Sequence, residues 1–142
     1  MLSIYPACFF EEDNGVYSVI FPDLDVGNCG DNFEDAMTMA IDCLAGYIHW
    51  CWESNDDIPP ASTLSDIDVY AIAKGIYDNE NDYSSAFVNM ISVDVEAYAK
   101  KHFKKSVKKT LTIPAWLNEK ALEQNINFSQ VLQEALLAKL ML

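Results

Sequence analysis

VKKTLTIP, residues 107–114, followed after one amphipathic segment by NINFSQVL, residues 125–132, is the stretch that decides how the end of this chain folds. Residues 107–113 alternate and are stopped by Pro114, whose fixed φ and missing N–H suit the start of a helix. The spacing predicts helices over 115–124 and from 128 to about 140. Asn125 is expected in the left-handed conformation at the first helix end, and Asn127 as the cap of the second.

A single strand and two helices in under forty residues cannot form a core, because the strand has no hydrogen-bonding partner. We therefore expect two copies of the chain to pair residues 107–113 as an antiparallel ribbon. One phase of the strand then carries Lys108, Thr110 and Thr112 on its outer face, where a ribbon reads bases in a DNA major groove. Lys109 falls in the opposite phase, towards the helices.

Phosphate contacts are expected around the start of the last helix. Its free amide groups near Phe128 and Ser129, with Asn127 before them, form a natural anion site. Lys105 is expected to add a phosphate contact of its own. On the strand–proline–helix pattern alone, a solvated basic linker followed by helices that only dimerise is the alternative.

Acidic and basic residues are distributed unevenly along the chain. Residues 1–99 contain nineteen acidic residues against one lysine, whereas residues 100–142 contain eight lysines and three glutamates, within an overall net charge of −13. Six of those lysines lie between residues 100 and 109. Such asymmetry predicts two modules with partners of opposite charge, at 1–99 and 106–142, joined by a basic linker at 100–105.

The acidic part has the pattern of an α+β module. An Asn14-Gly15 turn separates residues 2–10 from a strand over 16–21, which predicts a β-hairpin, and residues 26–29 suggest a brief third strand. Asp31 is expected to cap a helix with Glu34 closing a capping box, and the helix should end near Trp52. Further strands are predicted at 69–76 and 87–93, with a loop over 77–85, and a short helix at 95–103. Together these predict an antiparallel sheet covered on one face by a helix.

Cysteine and histidine usage gives no sign of a metal site or disulfide framework. Cys8, Cys29, Cys43 and Cys51 form no Cys-x-x-Cys pair, so reduced thiols are expected. No apolar run approaches the roughly 20 residues that span a bilayer. We expect a cytoplasmic protein without a membrane partner, metal or cofactor.

The stretch formed by residues 107–114 and 125–132 resembles the ribbon-helix-helix repressors, with Asn125 at a position where glycine is common. The motifs before it resemble the HicB-type antitoxins of type II toxin–antitoxin systems, in family order. They are YPA (5–7), NGVYSVIFPDL (14–24), GDNFEDA (30–36), IPPAS (58–62) and VDVEAY (93–98). The chain departs from the family pattern after Leu24, where it has DVGNC instead of Pro-Gly-Cys.

This resemblance implies a partial RNase H-like fold without nuclease chemistry, followed by a ribbon-helix-helix dimerisation module. It also implies a small basic partner, the HicA toxin, which is an mRNA-cleaving ribonuclease. An acidic surface would attract such a toxin and compete with RNA. Glu11, Glu12, Asp23 and Asp25 are the toxin contacts we expect. Operator DNA and a second copy of the chain are the other expected partners.

Two other functions remain open on sequence grounds. One is a stand-alone transcriptional regulator whose first module senses a ligand or mediates oligomerisation. The other is a metal-dependent nuclease, if Asp23, Asp25, Asp31 and Glu34 cluster around Mg²⁺. Against it, Asp31 and Glu34 are explained as a capping box and Asp23 and Asp25 as turn residues, and no catalytic residue is predicted.

Overall fold

A computed structural model describes residues 1–77, 83–104 and 106–142. The chain divides into two compact units, Met1–Lys105 and Ser106–Leu142, which are described separately below. In the described ranges, no helix has both the length and the apolar character needed to span a membrane.

The first unit is built on a four-stranded sheet in which every neighbouring pair is antiparallel. Its strands are β1 (Ser3–Glu11), β2 (Tyr17–Phe21), β3 (Val26–Gly30) and β4 (Phe87–Val93), in the spatial order β3-β2-β1-β4. The predicted hairpin, third strand and last strand are thus confirmed. Asn14 and Gly15 both take positive φ in the turn between β1 and β2, the conformation these two residue types tolerate best.

Helix α1 (Phe33–Ser54) covers one face of the sheet, and its cap differs from the predicted one. Asp31 was expected as the cap with Glu34, but the cap is Asn32, whose Oδ1 accepts the Asp35 amide at 2.9 Å. The Asp35 carboxylate in turn accepts the Asp31 amide at 2.9 Å. Both Asp and Asn make good caps, so local sequence leaves the choice open. Packing decides it, because Gly30 lies so close to the start of α1 that any Cβ there would overlap Ala36.

The prediction of a strand over 69–76 is wrong, because this segment is helix α2 (Val69–Ile76). The Asp68 carboxylate caps it by accepting the amides of Tyr70 and Ala71 at 3.2 and 3.1 Å. Short apolar runs do not separate helix from strand by periodicity, and here the tertiary structure decides. The helix buries Val69 and Ala73, one turn apart, in a second cluster with residues of β1.

Both faces of the sheet are therefore covered, whereas a single covering helix was expected. Alternate residues of β1 enter different clusters. Ala7 and Phe9 pack in the cluster that contains α1, while Cys8 and Phe10 pack with α2. This burial on both faces explains why β1 is mostly apolar along its nine residues instead of alternating between apolar and polar.

Helix α3 (Val95–His102) forms where a short helix was predicted and packs against α1. The Tyr98 hydroxyl donates to the Asp42 carboxylate at 3.0 Å, across the two helices. Because α3 contains Lys100 and Lys101, residues 100–102 of the predicted 100–105 linker are helical. Of the predicted 77–85 loop, residues 78–82 lie outside the described residues.

The second unit contains α4 (Ala115–Glu123) and α5 (Phe128–Leu140), as predicted. Asn125 takes a left-handed φ of 54° between them. Asn127 caps α5, with its Oδ1 accepting the Gln130 amide at 3.1 Å. Residues 107–113 form no strand within the single chain. A strand requires a second strand to bond with, so the ribbon between two chains stays a prediction.

Candidate functional site

An open apolar groove of about 670 Å³ runs between residues 109–113 and the two helices of the second unit. Lys109, Leu111 and Ile113 line it from the extended segment. Lys108, Thr110 and Thr112 do not line it and are exposed to solvent. Within this single chain the Lys-Thr-Thr side of the segment is turned away from the helices, as neighbouring residues of an extended chain point to opposite sides. The base contacts of that side stay a prediction.

The apolar side chains along this groove are unusually open to solvent. None of residues 106–142 is buried, and Leu111, Phe128 and Leu132, which line the groove, keep 64%, 41% and 37% of their surface exposed. Soluble monomers rarely leave a contiguous apolar surface of this kind uncovered. The second unit thus exposes apolar side chains of the kind that form a hydrophobic core in other proteins.

The predicted phosphate site lies at the start of α5. The amides of Phe128 and Ser129 have no acceptor among the described residues, whereas the Asn127 side chain is occupied by its bond to the Gln130 amide. Phe128 and Ser129 also line the groove. Lys105, the fourth predicted phosphate contact, lies outside the described residues.

The four predicted toxin contacts do not form one cluster. Glu11 pairs with Tyr17 at the start of β2, and Glu12 follows it, whereas Asp23 and Asp25 come after Phe21 at the other end of that strand. Glu11 and Asp25 are exposed. These four acidic residues therefore form two separate groups, Glu11 and Glu12 at one end of β2 and Asp23 and Asp25 at the other.

Glu12 and Asp23 are largely occupied by bonds within the chain. The Glu12 carboxylate accepts the Tyr77 hydroxyl at 2.6 Å and the Ser18 hydroxyl at 3.2 Å. Burial first, and then the bond to Glu12, raise the pKa of Tyr77 to about 12. The Asp23 carboxylate accepts both the amide and the hydroxyl of Ser62, at 2.9 and 2.6 Å. Both acids therefore hold the fold together before they meet any partner.

The carboxylates considered for Mg²⁺ are also separated. Asp31 precedes α1 next to Gly30, which pairs with Tyr17, while Asp23 and Asp25 lie beyond the opposite end of β2. Within the described ranges, no group of three or more His, Cys, Asp or Glu side chains is placed to hold one metal ion.

Residues 5–140 match the family described as HicB_like antitoxin of bacterial toxin-antitoxin system. The chain belongs to this antitoxin family. A chain of a toxin–antitoxin complex from Streptococcus pneumoniae is 31% identical, with 98% of this chain and 99% of that chain covered and a TM-score of 0.62. The antitoxin HicB of Burkholderia pseudomallei is 22% identical, with 96% of each chain covered and a TM-score of 0.48. No curated protein is detectably similar to this chain.

The HicB-like antitoxin carries a further feature that the sequence reasoning missed, at the carboxyl end of α1. Glu53 lies in the last turn, Asp56 and Asp57 follow the helix, and all three are exposed. Trp50, on the last turns, keeps 56% of its surface exposed. The signal that could have found this site is the absence of any basic residue in the last turn of a 22-residue helix.

Proposed function

We propose that this HicB-like antitoxin neutralises a basic HicA-type ribonuclease toxin with its first unit and represses transcription by binding operator DNA with its second. The observation that carries the proposal is the division of charge between the two units of a chain that matches the antitoxin family over residues 5–140. A ribonuclease that binds RNA must present positive charge, and the acidic first unit is complementary to it. A related chain that is 31% identical comes from a toxin–antitoxin complex.

Neutralisation in this proposal is steric and electrostatic. The first unit occupies the surface on which the toxin binds RNA, and its carboxylates take the place of the phosphates. Blocking of this kind requires no catalytic residue and no cofactor in the antitoxin. The protein would therefore act as a stoichiometric inhibitor, because each toxin molecule is silenced only while it is bound.

The second unit is proposed to act as a ribbon-helix-helix dimer. Its open groove supports this, because Leu111, Leu132 and their neighbours would be covered when residues 107–113 of two chains pair over the helices. Pairing would place six Lys108, Thr110 and Thr112 side chains on one outer face. The Phe128 and Ser129 amides would then bind phosphates on either side of the ribbon.

Two assays test the two activities separately. Titrating the purified protein into an RNA-cleavage reaction with its cognate toxin should abolish cleavage near equimolar ratio, and undiminished cleavage at excess antitoxin would refute neutralisation. Binding to DNA from its own promoter should be sequence-selective and fall steeply with salt, because lysine–phosphate contacts release counterions. Equal affinity for promoter and unrelated DNA would refute repression through this module.

A further inference from the structure

The two acidic ends of the first unit relate to α1 in opposite ways. At its amino end, Glu34 and Asp35 lie in the first turn, where negative charge stabilises a helix. At its carboxyl end, Glu53, Asp56 and Asp57 meet the negative pole of the same helix. The first set favours folding, whereas the second set disfavours it.

Among the described residues, no lysine forms an ion pair at the carboxyl end of α1. Three ion pairs occur among the described residues, and only one involves this end, between the His49 Nε2 and a Glu53 carboxylate oxygen at 3.4 Å. Asp56 and Asp57 take part in none of them. Residues that break a local stability rule without compensation are expected at functional sites.

Two aromatic side chains lie on the last turns of α1, shortly before these carboxylates in the chain. The rings of Tyr47 and Trp50 lie 6.3 Å apart on α1. The Asp56 amide donates to the Cys51 carbonyl oxygen at 3.0 Å, which holds Asp56 against the last turns of α1, where Trp50 lies. Loss of solvent first, and then Cys51 and Asp56, raise the pKa of the Tyr47 hydroxyl. This end of α1 therefore carries an exposed indole and three exposed carboxylates within eight residues of chain. A guanidinium group suits such a surface, because it stacks on aromatic rings and pairs with carboxylates.

The loop after α1 is fixed in place, so this end is preformed. The Tyr5 hydroxyl donates to the Pro59 carbonyl oxygen at 2.6 Å, and Asp23 binds Ser62 through both of its carboxylate oxygens. Asn55 in the left-handed conformation and Asp56 both donate their amides to the Cys51 carbonyl oxygen. A surface held in this way loses little conformational entropy when a partner binds.

We propose that the carboxyl end of α1, formed by Tyr47, Trp50, Glu53, Asp56 and Asp57, is the surface that receives arginine side chains of the basic toxin. This inference rests on the proposed neutralising function and locates it. The guanidinium groups would stack on Trp50 and pair with Asp56 and Asp57, and they would supply the positive charge that the end of α1 lacks. The Glu11–Glu12 end of the sheet would stay outside this contact.

The test measures the affinity of the full-length protein for its purified cognate toxin by titration calorimetry. Asp56→Asn/Asp57→Asn and Trp50→Ala should each weaken binding about tenfold or more, as expected when one partner of a desolvated charged contact is removed. Trp50→Phe should retain part of the lost affinity, since a ring face remains. The matched control is Asp13→Asn/Glu34→Gln, which removes the same charge from the β1–β2 turn and from the first turn of α1. Glu34 lies about 30 Å along α1 from the carboxyl end of the helix.

Thermal unfolding of the same variants gives a second readout. Asp56→Asn/Asp57→Asn should melt at or above the wild-type temperature, because it removes negative charge from a helix carboxyl end. A lower melting temperature would show that these carboxylates serve folding and would overturn the proposal. Affinity within threefold of wild type in both the Asn and Ala variants, or an equal loss in the control, would overturn it as well. Failure of the wild-type protein to bind the toxin would instead refute the neutralising function itself.

Discussion

The two units of this antitoxin solve the problem of hydrophobic burial differently. The first unit encloses Phe9, Phe10, Phe21 and Leu44 at 0% exposure between a sheet and helices on both its faces. The second unit has comparable apolar side chains, yet buries none of them. The first therefore has the core of an independent domain, whereas the second depends on a further surface for its stability.

The difference is one of chain length and contact range. In the first unit, residues far apart in sequence meet, as Tyr5 does with Ile91 and Asp23 with Ser62. In the second, 37 residues supply two helices and one extended segment, too little for both sides of a core. If the second unit pairs as proposed, its folding is coupled to assembly, and the proposed DNA binding should depend on protein concentration.

The largest effect is expected from a charge placed in the groove of the second unit, since burial there is proposed to require a second chain. Leu132→Asp should prevent pairing and reduce operator affinity towards the non-specific level, about 1,000-fold or more. Gel-shift titration with sedimentation equilibrium would measure both properties. Met141→Asp, which places the same charge on an exposed residue outside the groove lining, is the control and should still dimerise. A dimeric, DNA-binding Leu132→Asp variant would contradict the groove as the pairing surface.

A core substitution in the first unit tests whether that unit is stabilised by residues of its own chain. Leu44→Ala should cost about 3 kcal/mol of unfolding free energy, since it leaves a cavity in a closed core. Denaturant unfolding should give the same loss at every protein concentration. Leu132→Ala should instead weaken the second unit in a concentration-dependent way, because the proposed ribbon would cover Leu132 with residues of another chain. The same concentration dependence in both variants would remove the distinction between the units.

A smaller effect is expected on the outer face of the extended segment. Lys108→Ala and Thr110→Ala should each weaken operator binding by about 1–3 kcal/mol, because they remove base contacts, while toxin binding stays unchanged. Lys109→Ala is matched in charge but lines the groove, so it should reduce sequence selectivity less. Fluorescence anisotropy with operator and scrambled DNA separates the two outcomes. If Lys109→Ala loses more selectivity than Lys108→Ala, the proposed phase of the ribbon is reversed.

The smallest effect concerns alkaline pH and the closed core. Burial raises the pKa of the Cys8 thiol to about 11, from 9.0 in the unfolded chain. The folded state then holds a proton that the unfolded state releases, so the stabilising contribution present below pH 9 is lost progressively between pH 9 and 11. Cys8→Ala should flatten this decline in denaturant unfolding, while Cys29→Ala, an exposed thiol on β3, should not. An unchanged slope in Cys8→Ala would refute the assignment.

Much of the fold could be predicted because its signals are local. Asn14-Gly15 predicted the first hairpin, and the capping pattern around Asp31 and Glu34 predicted a helix in the place of α1. The Pro114–Asn125–Asn127 pattern predicted both helices of the second unit. The 69–76 segment could not be predicted in this way. Eight mainly apolar residues suit either a buried strand or a helix, and only the uncovered Cys8–Phe10 face of the sheet selects the helix.

The candidate sites divide along the same line. The alternation of Lys108, Thr110 and Thr112 against Lys109, Leu111 and Ile113 is written in the sequence, because neighbouring residues of an extended chain point to opposite sides. The positions of the acidic residues in the fold do not follow from the sequence. Nineteen carboxylates spread over 99 residues give the net charge but not the surface on which each one lies. That Glu11 and Glu12 lie at one end of β2 and Asp23 and Asp25 at the other became visible only when the strands were paired.

The sequence by itself determined the family, the separation of acidic from basic charge, and the local elements that caps and turns specify. Tertiary structure decided which carboxylates serve the fold, as Glu12 and Asp23 do through Tyr77, Ser18 and Ser62, and which stand uncompensated at the end of α1. The reason is physical. Charge and periodicity are properties of residues along the chain, whereas the partner of a carboxylate is set by the folding that brings distant residues together.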